Sequence, residues 1–230
     1  MVFHCENLCK RYGKVQALED VTFSIQPGHI VGLLGPNGSG KTTLIKLANG
    51  LLTPTSGAIS ICGGPVGKES RALVSYLPER TSVPLWMTAA QLLDFYCDFY
   101  PDFRRQAAEE MLQALGISQK QRIRQMSKGT REKVQLIATM SRRAKLYLLV
   151  EPIGGVDPAT RDYILSTIIT NYDPDAAVVI STHLIADVER VLDDVIFLNQ
   201  GRVVLQSSVD DIREREGKSV DQLFREVFRC

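Results

Sequence analysis

The stretch GPNGSGKT, residues 35–42, decides the fold. It fits G-x-x-x-x-G-K-[ST] and sits where that pattern has a mechanism, between a strand and a helix. HIVGLLG (29–35) enters it as an apolar run that stops at glycine, which predicts a buried strand. KTTLIKLANG (41–50) leaves it as a helix, with Leu44, Leu47 and Ala48 on one face and Gly50 as a stop. Gly35, Gly38 and Gly40 let backbone N–H groups curl round a phosphate with no Cβ in the way. Pro36, Asn37, Ser39 and Thr43 complete the predicted cradle, and the helix adds its positive N-terminal end. Lys41 is expected to reach the β- and γ-phosphates and the Thr42 hydroxyl to ligate Mg²⁺. The expected ligand is a nucleoside triphosphate.

Outward from this loop the chain alternates. Strands are predicted near 2–8 and 21–25, then at 58–62 and 72–77. From about 84 to 143 the pattern turns helical, with TAAQLLDFYCDFY, FRRQAAEEMLQALG and TREKVQLIATMSRR as the clearest helices. Alternation then resumes: strand 145–150, helix 158–170, strand 176–181, helix 183–191, and strands 194–199 and 201–206. Strands alternating with helices predict a parallel sheet covered on both faces. The expected fold is therefore α/β: a P-loop NTPase with a parallel core sheet, an N-terminal antiparallel β portion and an inserted α-helical subdomain. The expected organisation is one domain, with a core of 1–83 and 144–206, a helical subdomain of 84–143 and C-terminal helices in 207–230. SVDQLFREVFRC places Val220, Leu223, Phe224, Val227 and Phe228 at helical spacing, which suits a helix packed on its own domain.

Composition excludes several classes. With 27 Lys and Arg against 26 Asp and Glu, the chain has no global field for nucleic acid. The cluster Lys120, Arg122, Arg124, Lys128, Arg131 and Lys133 has no interleaved aromatics for base stacking, and reads as a solvated helical face. No apolar run is long enough to span a membrane, and MVFHCENLCKRYG lacks a signal-peptide core. The five cysteines (Cys5, Cys9, Cys62, Cys97 and Cys230) are scattered and read as reduced thiols of a cytosolic protein.

Five further motifs, in order after the phosphate loop or before it, make the chain resemble the ATP-binding subunit of an ABC (ATP-binding cassette) transporter, of a bacterial exporter-type branch, over residues 1–206. Tyr12, 29 residues before Lys41, stands where the family stacks an aromatic on adenine. SYLPER puts Glu79 where a glutamine usually touches Mg²⁺ and faces the membrane subunit. MSKGT, residues 126–130, stands for the signature LSGGQ. There Ser127, Lys128, Gly129 and Thr130 would contact the ATP held by a second subunit, with Lys128 replacing the first glycine. GGVDP carries Asp157 into the expected dimer interface, and STH offers His183, 32 residues after Glu151, as the γ-phosphate sensor.

In LYLLVEPIGGVD (146–157) the same resemblance makes Glu151 the general base. Val150 then stands where an aspartate usually helps to hold Mg²⁺. Sliding the register to make Glu151 that aspartate would put Pro152 in the base position and break the spacing to Asp157. A carboxylate at Glu79 could offset part of the loss. The resemblance implies ATP and Mg²⁺ as ligands, a homo- or heterodimer of cassettes closed by two ATPs, an integral membrane permease subunit and a place on the inner face of the cell membrane. Trp86, in SVPLWMTAAQLLDFY, is the expected anchor for the permease. Two alternatives stay open. One is a degenerate cassette that binds ATP and hydrolyses it poorly. The other is a soluble cassette acting on nucleic acid or ribosomes, a class that usually carries two cassettes or a long coiled-coil insert, where this chain has one cassette and an insert of about 60 residues.

Overall fold

The computed structural model describes residues 1–228, except the side chain of Ala159; Cys230 lies outside the described residues. The chain begins with β1 (Phe3–Tyr12), β2 (Val15–Ile25), β3 (Ile30–Leu34) and α1 (Lys41–Ala48). Next come β4 (Ser56–Ile61), β5 (Gly64–Pro65), α2 (Lys68–Leu73) and β6 (Val74–Leu77). Three helices follow, α3 (Ala89–Phe99), α4 (Arg105–Ala114) and α5 (Lys128–Met140). The remainder is β7 (Leu146–Val150), α6 (Pro158–Asn171), β8 (Ala177–Ser181), α7 (Ile185–Val188), β9 (Asp194–Asn199), β10 (Arg202–Ser208), α8 (Val209–Glu216) and α9 (Val220–Val227).

The fold is α/β. One sheet has the order β10-β9-β3-β8-β7-β6, parallel from β9 to β6 with β10 antiparallel at its edge. The second, β2-β1-β4-β5, is antiparallel. Every residue of β3, β7 and β8 is buried, as continuous apolar strands covered on both faces must be. One apolar layer joins the antiparallel sheet to α1, through Phe3, Phe23, Leu44 and Leu47. The other packs β7 and β8 against α5, α6 and the C-terminal helices, where Phe224 and Phe228 meet Phe197 with ring centroids 5.5 and 5.7 Å apart.

Five elements differ most from the expectation. The first two strands run longer than 2–8 and 21–25 because Tyr12 pairs with Val15 and closes one continuous hairpin, whose charged outer face hides it from an apolar pattern. Ala72 and Leu73, expected in a strand, end α2 instead, which Gly67 starts by donating its N–H to the Ser70 hydroxyl at 2.8 Å. α5 starts at Lys128, two residues before the expected start, because Ser127 caps it. The helix expected over 183–191 begins at Ile185 and tightens to a 3₁₀ turn at Glu189–Val191, since His183 and Leu184 spend their N–H groups on Glu151 and Thr182.

Residues 83–138 hold their own apolar core, with Leu92, Leu112, Ile123 and Ile137 at its centre. α5 contributes Val134, Ile137 and Ala138 to that core and Leu136 and Met140 to the main one. Just beyond it, the Arg142 side chain is 2% exposed. Its guanidinium donates to both oxygens of Asp102 at 3.1 Å and to the carbonyls of Ala72 and Val74, and it stacks on Tyr100 at 3.9 Å. One side chain thus ties α2 and β6 to the turn after α3. Removing it leaves a carboxylate and two carbonyls short of donors. Arg142→Met should destabilise the chain by about 3–5 kcal/mol, read as a lower midpoint in urea unfolding.

Candidate functional site

The parallel strands end together along one edge of the sheet. Leu33 pairs with Ser181, Ser181 with Val150, and Leu149 with Leu77. Whatever follows these residues therefore emerges side by side, the usual place for a ligand crevice in an α/β sheet. Residues 35–42 follow β3, Glu151 follows β7, Thr182 and His183 follow β8, and Glu79 follows β6. A cavity of about 280 Å³ opens among them, lined by Asn37 to Thr43, Glu79, Val150, Glu151 and Ser181.

The phosphate loop is shaped from beneath. A Cβ on Gly35 would lie 2.2 Å from the Leu198 carbonyl oxygen, so only glycine fits. Ser39 is buried and its carbonyl accepts the Gly201 N–H at 2.9 Å. α1 starts after Gly40 with no side chain capping its N–H groups, which leaves its positive end toward the cavity. Lys41 Nζ donates to the carbonyls of Gly35 (2.7 Å) and Pro36 (3.0 Å), so the ammonium is held at the mouth of the loop. Burial lowers its pKa and the Glu151 charge opposes that shift. Thr42 is exposed in the same cavity.

Glu151 has φ +49°, left-handed backbone that a glutamate adopts at a cost. Its N–H donates to Ser181 O at 2.7 Å and its carbonyl accepts Gly154 N at 3.0 Å, which hold the strained turn in place. The carboxylate accepts the Thr182 hydroxyl at 2.8 Å and the His183 N–H at 3.2 Å, and His183 Nδ1 lies 3.0 Å from it at ion-pair distance. Val150 is 7% exposed and belongs to the apolar core. Among the described residues no three His, Cys, Asp or Glu side chains converge to hold a metal ion unaided.

A second cavity of about 260 Å³ adjoins the first and shares Glu79, Val150 and Glu151 with it. It is lined also by His183, Lys128 and Glu132. Lys128 is exposed and pairs with Glu132 at 3.7 Å. The rest of the signature stands apart. Ser127 Oγ caps α5, accepting Thr130 N at 3.1 Å and bonding Thr130 Oγ1 at 2.8 Å, and Ser127, Gly129 and Thr130 line neither cavity. Asp157 caps α6 through Thr160 N (3.0 Å) and Thr160 Oγ1 (2.6 Å), bonds that lower its pKa, and it too lies outside both cavities. Tyr12 is exposed at the hairpin tip, with the Lys10 ammonium 5.4 Å from its ring centroid.

Sequence reasoning passes over Val15, Gln16 and Ala17, which line the first cavity. A single exposed valine at a hairpin tip carries no pattern by which to find it. It passes over Thr182 as well, although STH already places a hydroxyl beside His183. That hydroxyl gains meaning only once β8 is known to lie beside β7.

A profile of the family described as ABC transporter matches residues 18–154. The uncharacterized ABC transporter ATP-binding protein YxlF of Bacillus subtilis (strain 168) is 32% identical over 220 residues, which are 94% of this chain and 74% of that protein. The linearmycin resistance ATP-binding protein LnrL of the same strain is 29% identical over 224 residues, 94% of this chain and 72% of that protein. A solved structure of an ATP binding subunit of an ABC transporter superimposes with a TM-score of 0.91 at 29% identity over the whole of both chains.

The loop geometry separates two kinds of glycine. Gly38, at φ +79°, has nothing within 4 Å of an added Cβ, so Gly38→Ala should cost only the backbone strain, about 1–2 kcal/mol. Gly35→Ala must displace the backbone at Leu198 and should cost clearly more. Paired urea-unfolding curves of the two variants check the order.

Proposed function

The chain belongs to the ABC transporter family, and from that premise we propose that it is the ATP-hydrolysing motor subunit of a membrane transporter. The observation that carries the reading is that Glu151 shares one cavity with Lys41 and Thr42 while two hydrogen bonds and an ion-pair contact to His183 hold its carboxylate in place. On this reading the loop Gly35–Thr43 cradles the phosphates of ATP, Lys41 swings from its carbonyls to them, and Tyr12 stacks on the base. Glu151 orients and polarises the attacking water as general base. His183 senses the γ-phosphate.

The donor set suits Mg²⁺. A hydroxyl at Thr42 and a carboxylate at Glu79 face the same cavity, and Mg²⁺ needs few protein ligands because it keeps waters and is bound largely by phosphate oxygens. When bound, the ion neutralises phosphate charge. Glu79 supplies part of what an aspartate at Val150 would.

Ser127, Lys128, Gly129, Thr130 and Asp157 lie outside the phosphate cavity of their own chain, which supports a role across an interface. ATP binding would join two cassettes head to tail, identical or not, with the signature of each on the nucleotide of the other. Hydrolysis would release them. Residues 84–143 would act as the helical subdomain that carries the signature. No helix among the described residues is long and apolar enough to cross a membrane. The proposed partner is an integral permease subunit. That partner would hold the chain at the inner face of the membrane. Its docking helix would enter the groove of about 410 Å³ between Leu51, Tyr76, Ser82, Tyr96 and Tyr100, and Trp86, which is 65% exposed, would anchor it. No nucleic-acid partner is proposed. Substrate choice belongs to the permease.

The degenerate cassette is the second reading, favoured by Val150 alone. Steady-state ATPase assays separate the two. An active wild type that loses about 100-fold or more in Glu151→Gln supports hydrolysis. A wild type at background that Val150→Asp rescues supports degeneracy. In Mg²⁺ titrations, Glu79→Gln should raise the Mg²⁺ concentration needed for half-maximal ATP binding and Val150→Asp should lower it. An unchanged Mg²⁺ dependence in Glu79→Gln removes Glu79 from the metal. Trp86→Ala should abolish transport while nucleotide affinity stays within about twofold; unimpaired transport removes Trp86 as the anchor.

A further inference from the structure

We infer that Thr182 is a positioning residue that fixes the Glu151 carboxylate for catalysis, an inference that rests on the proposed hydrolytic role of Glu151. Thr182 is 1% exposed and follows β8 directly. Its Oγ1 accepts the Leu184 N–H at 3.1 Å and lies 2.8 Å from Glu151 Oε2. A hydroxyl has one proton to give. With Leu184 occupying a lone pair, that proton is directed at Glu151. The donor cannot turn away, because burial leaves it no water to bond.

The consequence falls on the carboxylate. Ionised, it has about four lone-pair sites on its two oxygens. Oε1 accepts the His183 backbone N–H at 3.2 Å, and His183 Nδ1 lies 3.0 Å from the same oxygen. Oε2 accepts from Thr182 once. Oε2 keeps a further acceptor direction, and it is the direction in which a water would be held. Thr182 thus selects both the rotamer of Glu151 and the lone pair it presents.

His183 cannot substitute for Thr182. Its bonds reach only Oε1, and its exposed ring is the group expected to turn toward nucleotide. Thr182 is the inner of the two contacts and lines neither cavity. Its loss should therefore lower the rate of the chemical step and leave nucleotide binding alone.

The test compares wild type, Thr182→Val, Thr182→Ser and Glu151→Gln in the full chain, with kcat and KM for ATP, equilibrium ATP binding and thermal melts. Thr182→Val keeps the shape and removes the donor. Its kcat should fall on the order of 10- to 100-fold, the effect of one lost hydrogen bond to a charged group, with KM and ATP affinity within about twofold. Thr182→Ser keeps the hydroxyl and should recover most of the rate. If Thr182→Val does not fold, Thr182→Cys, a weak donor of similar size, takes its place with the same expectation. Thr182→Val at the wild-type rate overturns the inference, as does a fall shared equally by Thr182→Ser or a raised KM at constant kcat. In those cases a Glu151→Gln variant that is inactive leaves the role of Glu151 standing. A Glu151→Gln variant at the wild-type rate, or a wild type at background, overturns the hydrolytic reading and this inference with it.

Discussion

Ser181 pairs with Leu33 on one side and with Val150 on the other, and the site is built on that row. Three buried parallel strands end level with one another, so the segments that leave them begin as neighbours. A one-residue slip of β7 against β8 would turn every side chain of the strand to the opposite face. It would also carry Glu151 away from Thr182 and His183. Continuous apolar runs such as LYLLV and AVVIS cannot by themselves resist a slip, because they look alike from either face. The end of the row is where register acquires a marker. The Glu151 N–H bonds Ser181 O, and the carboxylate reaches on to Thr182 and His183. Polar contacts outside the sheet thus lock the register that the apolar contacts inside it leave degenerate.

The same row explains what was legible from the sequence. The loop 35–42 carries its chemistry locally, in glycines, a lysine and a threonine on adjacent positions, so it can be read without a fold. β3, β7 and β8 are legible as apolar runs, and α3, α4 and α5 as apolar stripes of helical period. What sequence hides is anything set by pairing. β1 and β2 extend beyond their apolar stretches because a hairpin needs only hydrogen-bonded partners, and charged residues on the open face do not interrupt those. Leu73 is apolar and next to a strand, yet Gly67 and Ser70 start a helix that takes it. Thr182 is a hydroxyl like any other until strand order places it 2.8 Å from a carboxylate.

α5 couples the two parts of the chain more firmly than a hinge would. Residues Val134 to Met140 are all buried, and the apolar ones are split between two cores. A helix buried on successive positions cannot roll without opening one core or the other. Arg142 adds a polar tie at its C-terminal end, and Arg104 donates to Met140 O at 2.9 Å and Asn171 O at 2.6 Å. Ser127 and Lys128, at the N-terminal end of the same helix, are thereby placed relative to β7. Any displacement of the signature must come from movement of the whole helical part, since α5 gives it no local freedom.

Val150 follows from the same packing. Its side chain is among the apolar residues between β7 and α1, at 7% exposure. An aspartate here would bring a charge to the boundary of that core, a cost repaid only by a cation close by. The cation present is Lys41, whose ammonium is already held by two carbonyls and faces Glu151. With valine, Glu151 is the sole carboxylate at the end of β7, and Lys41 has one anionic neighbour there to balance instead of two. The second carboxylate of the cavity, Glu79, follows β6 and is exposed, and on the proposed function it would approach an ion that arrives with its own phosphates. Moving a negative charge from a buried strand end to an exposed loop trades a fixed ligand for an adaptable one. On the proposed function, metal affinity then depends more on the nucleotide than on the protein, which suits a site that must release both after each turnover.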